Sequence, residues 1–318
     1  MNRLSRRFKL IFSLIFVLVI INCQPPVNHY ENAKKEWLNN DFLGAIIELN
    51  CLLNNDFRND SAFVLRAKCY SKILKHEKVL NDLRKALDIN INNTEARLEL
   101  SKYYVSKSDT SRANKMLDSL ISLKGKYVSE AWIEKGKINY FNDKFALSIL
   151  NFDKAIKADS TNYLAWYYRA IMRSTFFDKK FQTNNYSFFL LDFDKAIVDF
   201  KKSTSLKPDF ADAWYRLGLV YLNKFDSTNG IKAINLSISL EPQNPYYYLG
   251  RADYCFRQLK YERAIEDYSK SIRISQIDPN AFEGRANCYK AIEKIELFKE
   301  DYKKAYLLRK DFKKQKVM

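Results

Sequence analysis

Apolar residues return along this chain at offsets of three and four, the spacing that gathers one face of an α-helix, and the pattern itself repeats at a longer period. A small residue recurs in mid-helix as Ala33, Ala67, Ser101, Gly136, Ala170, Gly218, Ala252 and Ala286, at spacings of 34, 34, 35, 34, 48, 34 and 34. A second, mostly small column opens the next helix of each period: Ala45, Val79, Ala113, Ser148, Ala196, Gly230, Ala264 and Phe298. Four residues on stands a large apolar column, Leu49, Leu83, Leu117, Phe152, Phe200, Ile234, Tyr268 and Tyr302. Three further on come Leu52, Ala86, Leu120, Ala155, Ser203, Ser237, Ser271 and Ala305. Small residues facing large ones let two helix backbones approach while side chains interdigitate. One such pair cannot cover its own apolar face, so the pattern predicts an all-α stack of helix pairs.

The sixth period carries a recognisable signature: Trp214, Leu217, Gly218 and Tyr221, then Gly230 and Ile234, closing at Pro242. It resembles the tetratricopeptide repeat, whose pattern is W-x2-L-G-x2-Y, then A-x3-F, then Pro. Trp132, Trp166, Phe63, Tyr248 and Phe282 fill the bulky opening position of other units, and Pro208 closes the fifth. His29 and Arg97 replace the opening aromatic in the first and third units, and Phe298 replaces the small residue in the eighth. The resemblance implies a right-handed superhelical solenoid of about eight units at 26–59, 60–93, 94–128, 129–162, 163–210, 211–244, 245–278 and 279–312, followed by a basic tail at 313–318.

The fifth unit is longer by 14 residues. Residues 176–189 hold Phe176, Phe177, Phe181, Tyr186, Phe188 and Phe189 around a polar QTNNYS. The expectation is two helices each lengthened by about two turns, with Ser187 as an N-cap. Phe181, Tyr186, Phe188 and Phe189 would either pack these extensions together or anchor a partner.

Composition agrees with a helical reading: seven Gly and six Pro in 318 residues are too few for the turns of a β-rich protein. Net charge is +17, and setting aside Arg3, Arg6, Arg7 and Lys9 of the first segment leaves +13. Such a surface favours acidic proteins, anionic lipid or nucleic acid without choosing among them. Five cysteines and two histidines form no CxxC and no zinc-ligand spacing. Cys51 with Cys69, and Cys255 with Cys288, fall where either a bridge or the packing of small apolar residues would suit them.

Residues 1–9 carry four basic residues and no acid, and 10–21 (LIFSLIFVLVII) contain one polar residue. Twelve such residues make about 18 Å of helix, short of the roughly 30 Å hydrocarbon core, which is the form of a secretory signal over 1–22. No small-residue cleavage site follows. Ile20-Ile21-Asn22-Cys23 resembles a bacterial lipobox, with Asn22 departing from the usual small residue. The resemblance implies lipidation at Cys23, a linker over 23–25, and an exported chain anchored in the bacterial cell envelope, facing the periplasm. Two or more acyl chains would hold it stably.

No catalytic constellation is present. A Gly-rich phosphate loop, G-x-G-x-x-G, G-x-S-x-G and HExxH are all missing, so neither enzyme activity nor a cofactor or metal is expected. Asp153, Asp199, Asp267 and Asp301, which recur near the second helices, read as solvated helix faces.

The family's first helices line a binding groove, and the residue after the small column points into it. Here that register holds Lys34, Lys68, Lys102 and Lys137, then Ile171, Leu219, Asp253 and Asn287. The four lysines would form a basic ladder suited to an acidic peptide or carboxyl terminus, or else a solvated face. Three residues further on, Trp37, Tyr140, Leu222 and Phe256 offer either apolar groove contacts or plain packing. The function expected is a protein–protein interaction scaffold. The alternatives are a nucleic-acid-binding helical array, against which the 34-residue period and export segment count, and a regulatory subunit of an envelope enzyme.

Overall fold

The structure is a computed structural model and describes residues 29–175 and 192–315. Among the described residues there are sixteen α-helices and no strand. They come in pairs: α1 (His29–Leu38) and α2 (Phe42–Asn55); α3 (Asp60–Lys72) and α4 (His76–Ile89); α5 (Thr94–Ser106) and α6 (Thr110–Ser122); α7 (Val128–Phe141) and α8 (Phe145–Ala158). Then follow α9 (Tyr163–Ser174) and α10 (Phe193–Leu206); α11 (Ala211–Asn223) and α12 (Ser227–Leu240); α13 (Pro245–Arg257) and α14 (Tyr261–Ile274); α15 (Pro279–Ala291) and α16 (Ile295–Gln315). No described helix is long and apolar enough to cross a membrane.

Most helix starts are written locally. Asp41, Asn59, Asn93, Asp109, Asn162, Asp192, Asp226, Asn244 and Asp278 each sit at an N-cap and accept a hydrogen bond from a first-turn amide. Lys75, Lys144 and Lys260 open α4, α8 and α14 without a side-chain cap.

In every pair but α9–α10, the turn inside the pair uses one device. After α11, the Phe225 amide donates to the Leu222 carbonyl and the Asp226 amide to Tyr221, at 3.1 and 2.9 Å. After α13, Leu259 and Lys260 donate to Phe256 and Cys255 in the same way. This is the Schellman closure, in which one residue adopts a left-handed conformation. Glycine is the usual choice there, yet here the residues with positive φ are Asn40, Leu74, Ser108, Asp143, Phe225, Leu259 and Glu293. Left-handed backbone costs a residue with a Cβ ~1–2 kcal/mol, so the tight spacing of the pairs is held against that strain.

The helices gather into two compact units that divide in sequence at Ile138 and Asn139, inside α7. Within each, consecutive helices pack on one another, from α1 through α6 in the first unit and from α8 through α16 in the second, and first helices of consecutive pairs also touch: α1 with α3 and α3 with α5 in the first unit, α9 with α11, α11 with α13 and α13 with α15 in the second. The recurring columns are the core. Ala45, Leu49, Ala67, Leu83, Ala86, Ala113, Leu117 and Leu120 are buried in the first unit, and Ala170, Ala196, Phe200, Ile234, Ala252, Ala264, Tyr268 and Ala286 in the second. The exception is α16, on which no later described helix packs, where Tyr302 is 52% exposed. At Gly218 the small residue is obligatory: a Cβ there would lie 2.8 Å from the Gly230 carbonyl oxygen. The backbones of α11 and α12 nearly touch at that crossing.

Of the recurring aspartates, Asp153 keeps a side chain 44% exposed, but Asp199, Asp267 and Asp301 are not solvated faces. Asp199 is 1% exposed, and Asp82, Asp267 and Asp301 are also buried. Each accepts a two-pronged guanidinium from the first helix of its pair. Arg66 reaches Asp82 at 2.8 and 2.8 Å, Arg169 reaches Asp199 at 2.8 and 2.6 Å, Arg251 reaches Asp267 at 2.8 and 2.7 Å, and Arg285 reaches Asp301 at 2.7 and 2.8 Å. The remaining guanidinium nitrogen turns back to the preceding pair, to Asn50, Asp153, Asn235 and Ser269 respectively. One arginine thus joins three helices. The forked donor geometry and the burial explain why an acid stands on an inner face.

Around the inserted segment, α9 ends at Ser174 and α10 begins at Phe193 behind its Asp192 cap, so both keep ordinary lengths of 12 and 14 residues rather than gaining two turns. The Asp192 amide donates to the Arg173 carbonyl at 2.8 Å, which closes the base of the insertion. Ser187 and the aromatics Phe181, Tyr186, Phe188 and Phe189 lie outside the described residues, as does Cys23. Cys51, Cys69, Cys255 and Cys288 are free thiols. Burial pushes Cys69 up to about 11 and Cys288 up to about 12, which makes them inert packing residues.

Candidate functional site

In the first unit the four predicted lysines stand in one register on α1, α3, α5 and α7. None stands alone. Lys34 pairs with Glu31 at 2.8 Å, Lys102 with Glu99 at 2.8 Å, and Lys137 with Glu134 at 2.9 Å, each across a single helical turn. Lys68 has Leu65 at the corresponding place three residues earlier, and this residue is buried. Lys68 instead crosses to α5 and meets Glu95 at 2.8 Å. The ladder is therefore an alternation of ammonium and carboxylate groups, and its net field is small.

The Lys68–Glu95 pair is the one of the four that joins two helices. Burial draws Lys68 down, but the hydrogen bond and charge of Glu95 outweigh it and leave the ammonium above its ordinary value. Burial pushes Glu95 up, yet the hydrogen bonds from Lys68 and Tyr127 hold it below the usual carboxylate range. The Tyr127 hydroxyl is raised in turn by burial and by Glu95. Trp37 from α1 lies against the same place, with Lys68 Nζ 5.7 Å and Lys72 Nζ 6.0 Å from its ring centroid, and meets Phe42 in a tilted contact at 5.2 Å. Lys34 Nζ sits 4.6 Å over Tyr30. These are cation–π distances.

Between α3, α4 and α5 the surface opens into a cavity of about 290 Å³. Its walls include Lys68, Ser71, His76, Glu99, Lys102 and Tyr103. The cause is legible in the register: α1 presents Trp37 where α3 presents Ser71, and the missing ring leaves room. Ionic groups at the walls with small residues behind suit an extended chain bearing both polar and charged groups.

The second unit builds the same register from other chemistry. Tyr140 is half-buried against Phe141 and Phe145, at 5.4 and 6.1 Å. Leu222 is buried and lies over Gly230, so packing takes it up. Phe256 is half-buried beside Tyr261 at 5.8 Å. Asp253, where the first unit has lysine, accepts from the Tyr268 hydroxyl at 2.6 Å, and the surrounding protein raises its carboxyl. Tyr215 meets Tyr247 in a tilted contact at 4.9 Å, and burial with the charge of Asp253 pushes its hydroxyl up to about 12. Arg216 donates to Tyr167 at 2.8 Å and to Asp212 at 3.0 Å. This tyrosine–aspartate surface carries no recurrent motif, which is why periodicity alone passes over it. Among the described residues no cluster of three His, Cys, Asp or Glu side chains could hold a metal ion.

Family models described as "TPR repeat" and "Tetratricopeptide repeat" match residues 192–224 and 211–244. The chain carries tetratricopeptide repeats. A TPR repeat-containing protein of Methanocaldococcus jannaschii is 23% identical over 261 residues, which make up 75% of this chain and 43% of that relative. The chain thus spans under half the length of that relative. Among solved structures, the APC/C hetero-tetramer Cut9–Hcn1 superposes with a TM-score of 0.63 at 13% identity, covering 82% of this chain and 47% of the other. A monomeric IFIT1 mutant with Gppp-AAAA gives 0.62 at 15% identity, covering 90% and 72%. The human IFIT1 dimer with PPP-AAAA gives 0.57 at 14%, covering 84% and 69%. At these identities the likeness is one of fold. Tetratricopeptide repeats are a fold of interaction scaffolds, and that level of function follows for this chain.

Proposed function

We propose that this tetratricopeptide protein is a scaffold of the bacterial cell envelope, exported by its first 22 residues, anchored through Cys23, and holding a partner polypeptide on the first-helix face of its first unit. The observation that carries the binding reading is the cavity between α3, α4 and α5, where Lys68 and Lys102 meet the solvent beside Glu99, His76 and Tyr103. An extended segment bearing a carboxylate fits it. The incoming acid exchanges with Glu99 for Lys102, while Tyr103 and Ser71 offer hydroxyls to main-chain groups. The pairing of each lysine with its own glutamate sets specificity: a partner gains only if its geometry is better than the internal one. A polyanion such as RNA meets a nearly neutralised face, so nucleic acid ranks second.

Two experiments test this. A photo-crosslinking amino acid in place of Ser71, in the native envelope, captures a defined partner polypeptide. Lys68→Gln with Lys102→Gln removes the product, and capture unaffected by those changes sinks the site. Metabolic labelling with radioactive palmitate marks the wild-type chain and not Cys23→Ser. An unlabelled wild-type chain ends the anchor. Steep salt-dependent RNA binding at physiological ionic strength would instead favour the nucleic-acid reading.

A further inference from the structure

We infer that the turn tips of the second unit form a membrane-docking edge, which seats Phe225 and Leu259 in the headgroup boundary of an anionic bilayer. The inference does not rest on lipidation of Cys23.

Phe225 is 93% exposed and Leu259 70% exposed. Each occupies the left-handed position of its Schellman turn, at φ 62° and 59°. The turn needs only the backbone amide of that residue, and Asn40, Ser108, Asp143 and Glu293 serve in the equivalent places of other pairs, where the one further apolar residue, Leu74 of the first unit, lines the cavity. A bulky apolar side chain there is doubly unfavourable to the isolated fold: its Cβ strains the backbone and its surface meets water. Neither residue gains packing in return. Their side chains are explained by something outside the chain.

The two tips share an edge. The Tyr254 hydroxyl, near the end of α13, donates to Ser227 Oγ, at the start of α12, at 2.5 Å. That bond ties the α11–α12 turn to the end of the helix that leads into the α13–α14 turn. Lysines flank both apolar tips: Lys224, whose ammonium also pairs with the exposed Asp194, precedes Phe225, and Lys260, which follows Leu259, opens α14 without a side-chain cap.

Shape decides the class of partner. Side chains standing almost wholly clear of the surface need matching pockets on a protein, one for each tip. A bilayer interface makes no such demand, because it opens around any protruding apolar group. Lysines beside the tips complement anionic headgroups and hold the edge at the depth where aromatic and aliphatic tips sit.

The test uses the full chain. Phe225→Trp places a reporter at the tip, and vesicles of phosphatidylcholine and brominated phosphatidylglycerol quench it only on contact. The expected result is quenching about twofold beyond that of the unsubstituted chain, weakening when the brominated lipid is neutral phosphatidylcholine alone. The excess is read at residue 225, so adhesion by residues 1–23 does not produce it. Phe225→Asn with Leu259→Asn, which installs the residue found at Asn40, is expected to leave the melting temperature unchanged or higher. No excess quenching, equal quenching on neutral vesicles, or a melting temperature lowered by the asparagines overturns the proposal.

Discussion

The two units carry the same helix pair and differ in what stands on its first-helix register. In the first unit that register is lysine, and each lysine brings its own glutamate. In the second it is isoleucine, leucine, aspartate and asparagine, set among tyrosines whose hydroxyls serve carboxylates. Fold and recognition chemistry are thus separable here: small and large columns set the pairs, and the outward register is free to vary. The Arg–Asp clamp, by contrast, appears in both units, in α3–α4 and again in α9–α10, α13–α14 and α15–α16. Shared features hold the stack, and divergent ones stand on the outward register.

The sharpest break of that comparison removes a shared element. Arg66→Met in the first unit or Arg251→Met in the second leaves a buried aspartate unpaired, and each is expected to cost about 3–5 kcal/mol in denaturant unfolding. Arg169→Met should cost less, because Arg173 also donates to Asp199, at 2.6 Å. Replacing both partners of one clamp with apolar residues should recover most of the loss. Equal losses for the single and double changes would show that the clamp acts by packing alone.

A middle-sized effect belongs to the second unit. Gly218→Ala forces a methyl toward the Gly230 carbonyl oxygen and is expected to destabilise by about 1–3 kcal/mol. Ala67→Ser at the equivalent column of the first unit should be milder, since Ser101 already occupies that column, buried. A neutral melting temperature for Gly218→Ala would mean the α11–α12 crossing can open.

A smaller effect distinguishes the first unit by pH. Glu95 titrates below the usual carboxylate range in the folded chain. Its contribution is therefore fully present above that range and is lost as pH falls through the folded value. Glu95→Gln should flatten that acid limb, by less than about 1 kcal/mol because the pair is partly solvated. No counterpart is expected from Asp253→Asn, whose carboxyl is shifted the other way. Unfolding measured from neutral pH into acid decides it.

The smallest effect has the opposite sign. Leu74 holds a left-handed turn in the first unit while exposed, so Leu74→Asn should stabilise by about 1 kcal/mol. Leu74 also lines the cavity, and partner capture at Ser71 should weaken with it. A stabilised variant with unchanged capture would separate the turn from the site.

Much of this fold is legible without coordinates. Ala33, Ala67 and Leu49 are buried because periods of three, four and 34 are local properties, fixed by the helix and by the length of one pair. The acids at N-caps are equally local, and so are the glutamates three residues before Lys34, Lys102 and Lys137. The Lys68–Glu95 bond, 27 residues apart, is not, because it depends on how α3 and α5 pack. Nor is the burial of Asp199, which a helical wheel places beside other polar positions.

Sequence by itself determined the helices, their pairing and the columns that let them nest, since each follows from side-chain size at a fixed helical pitch. Only the tertiary structure decided which charges meet. A guanidinium or ammonium reaches several ångströms beyond its backbone, so its partner is chosen by the neighbouring helix that packing brings within that reach.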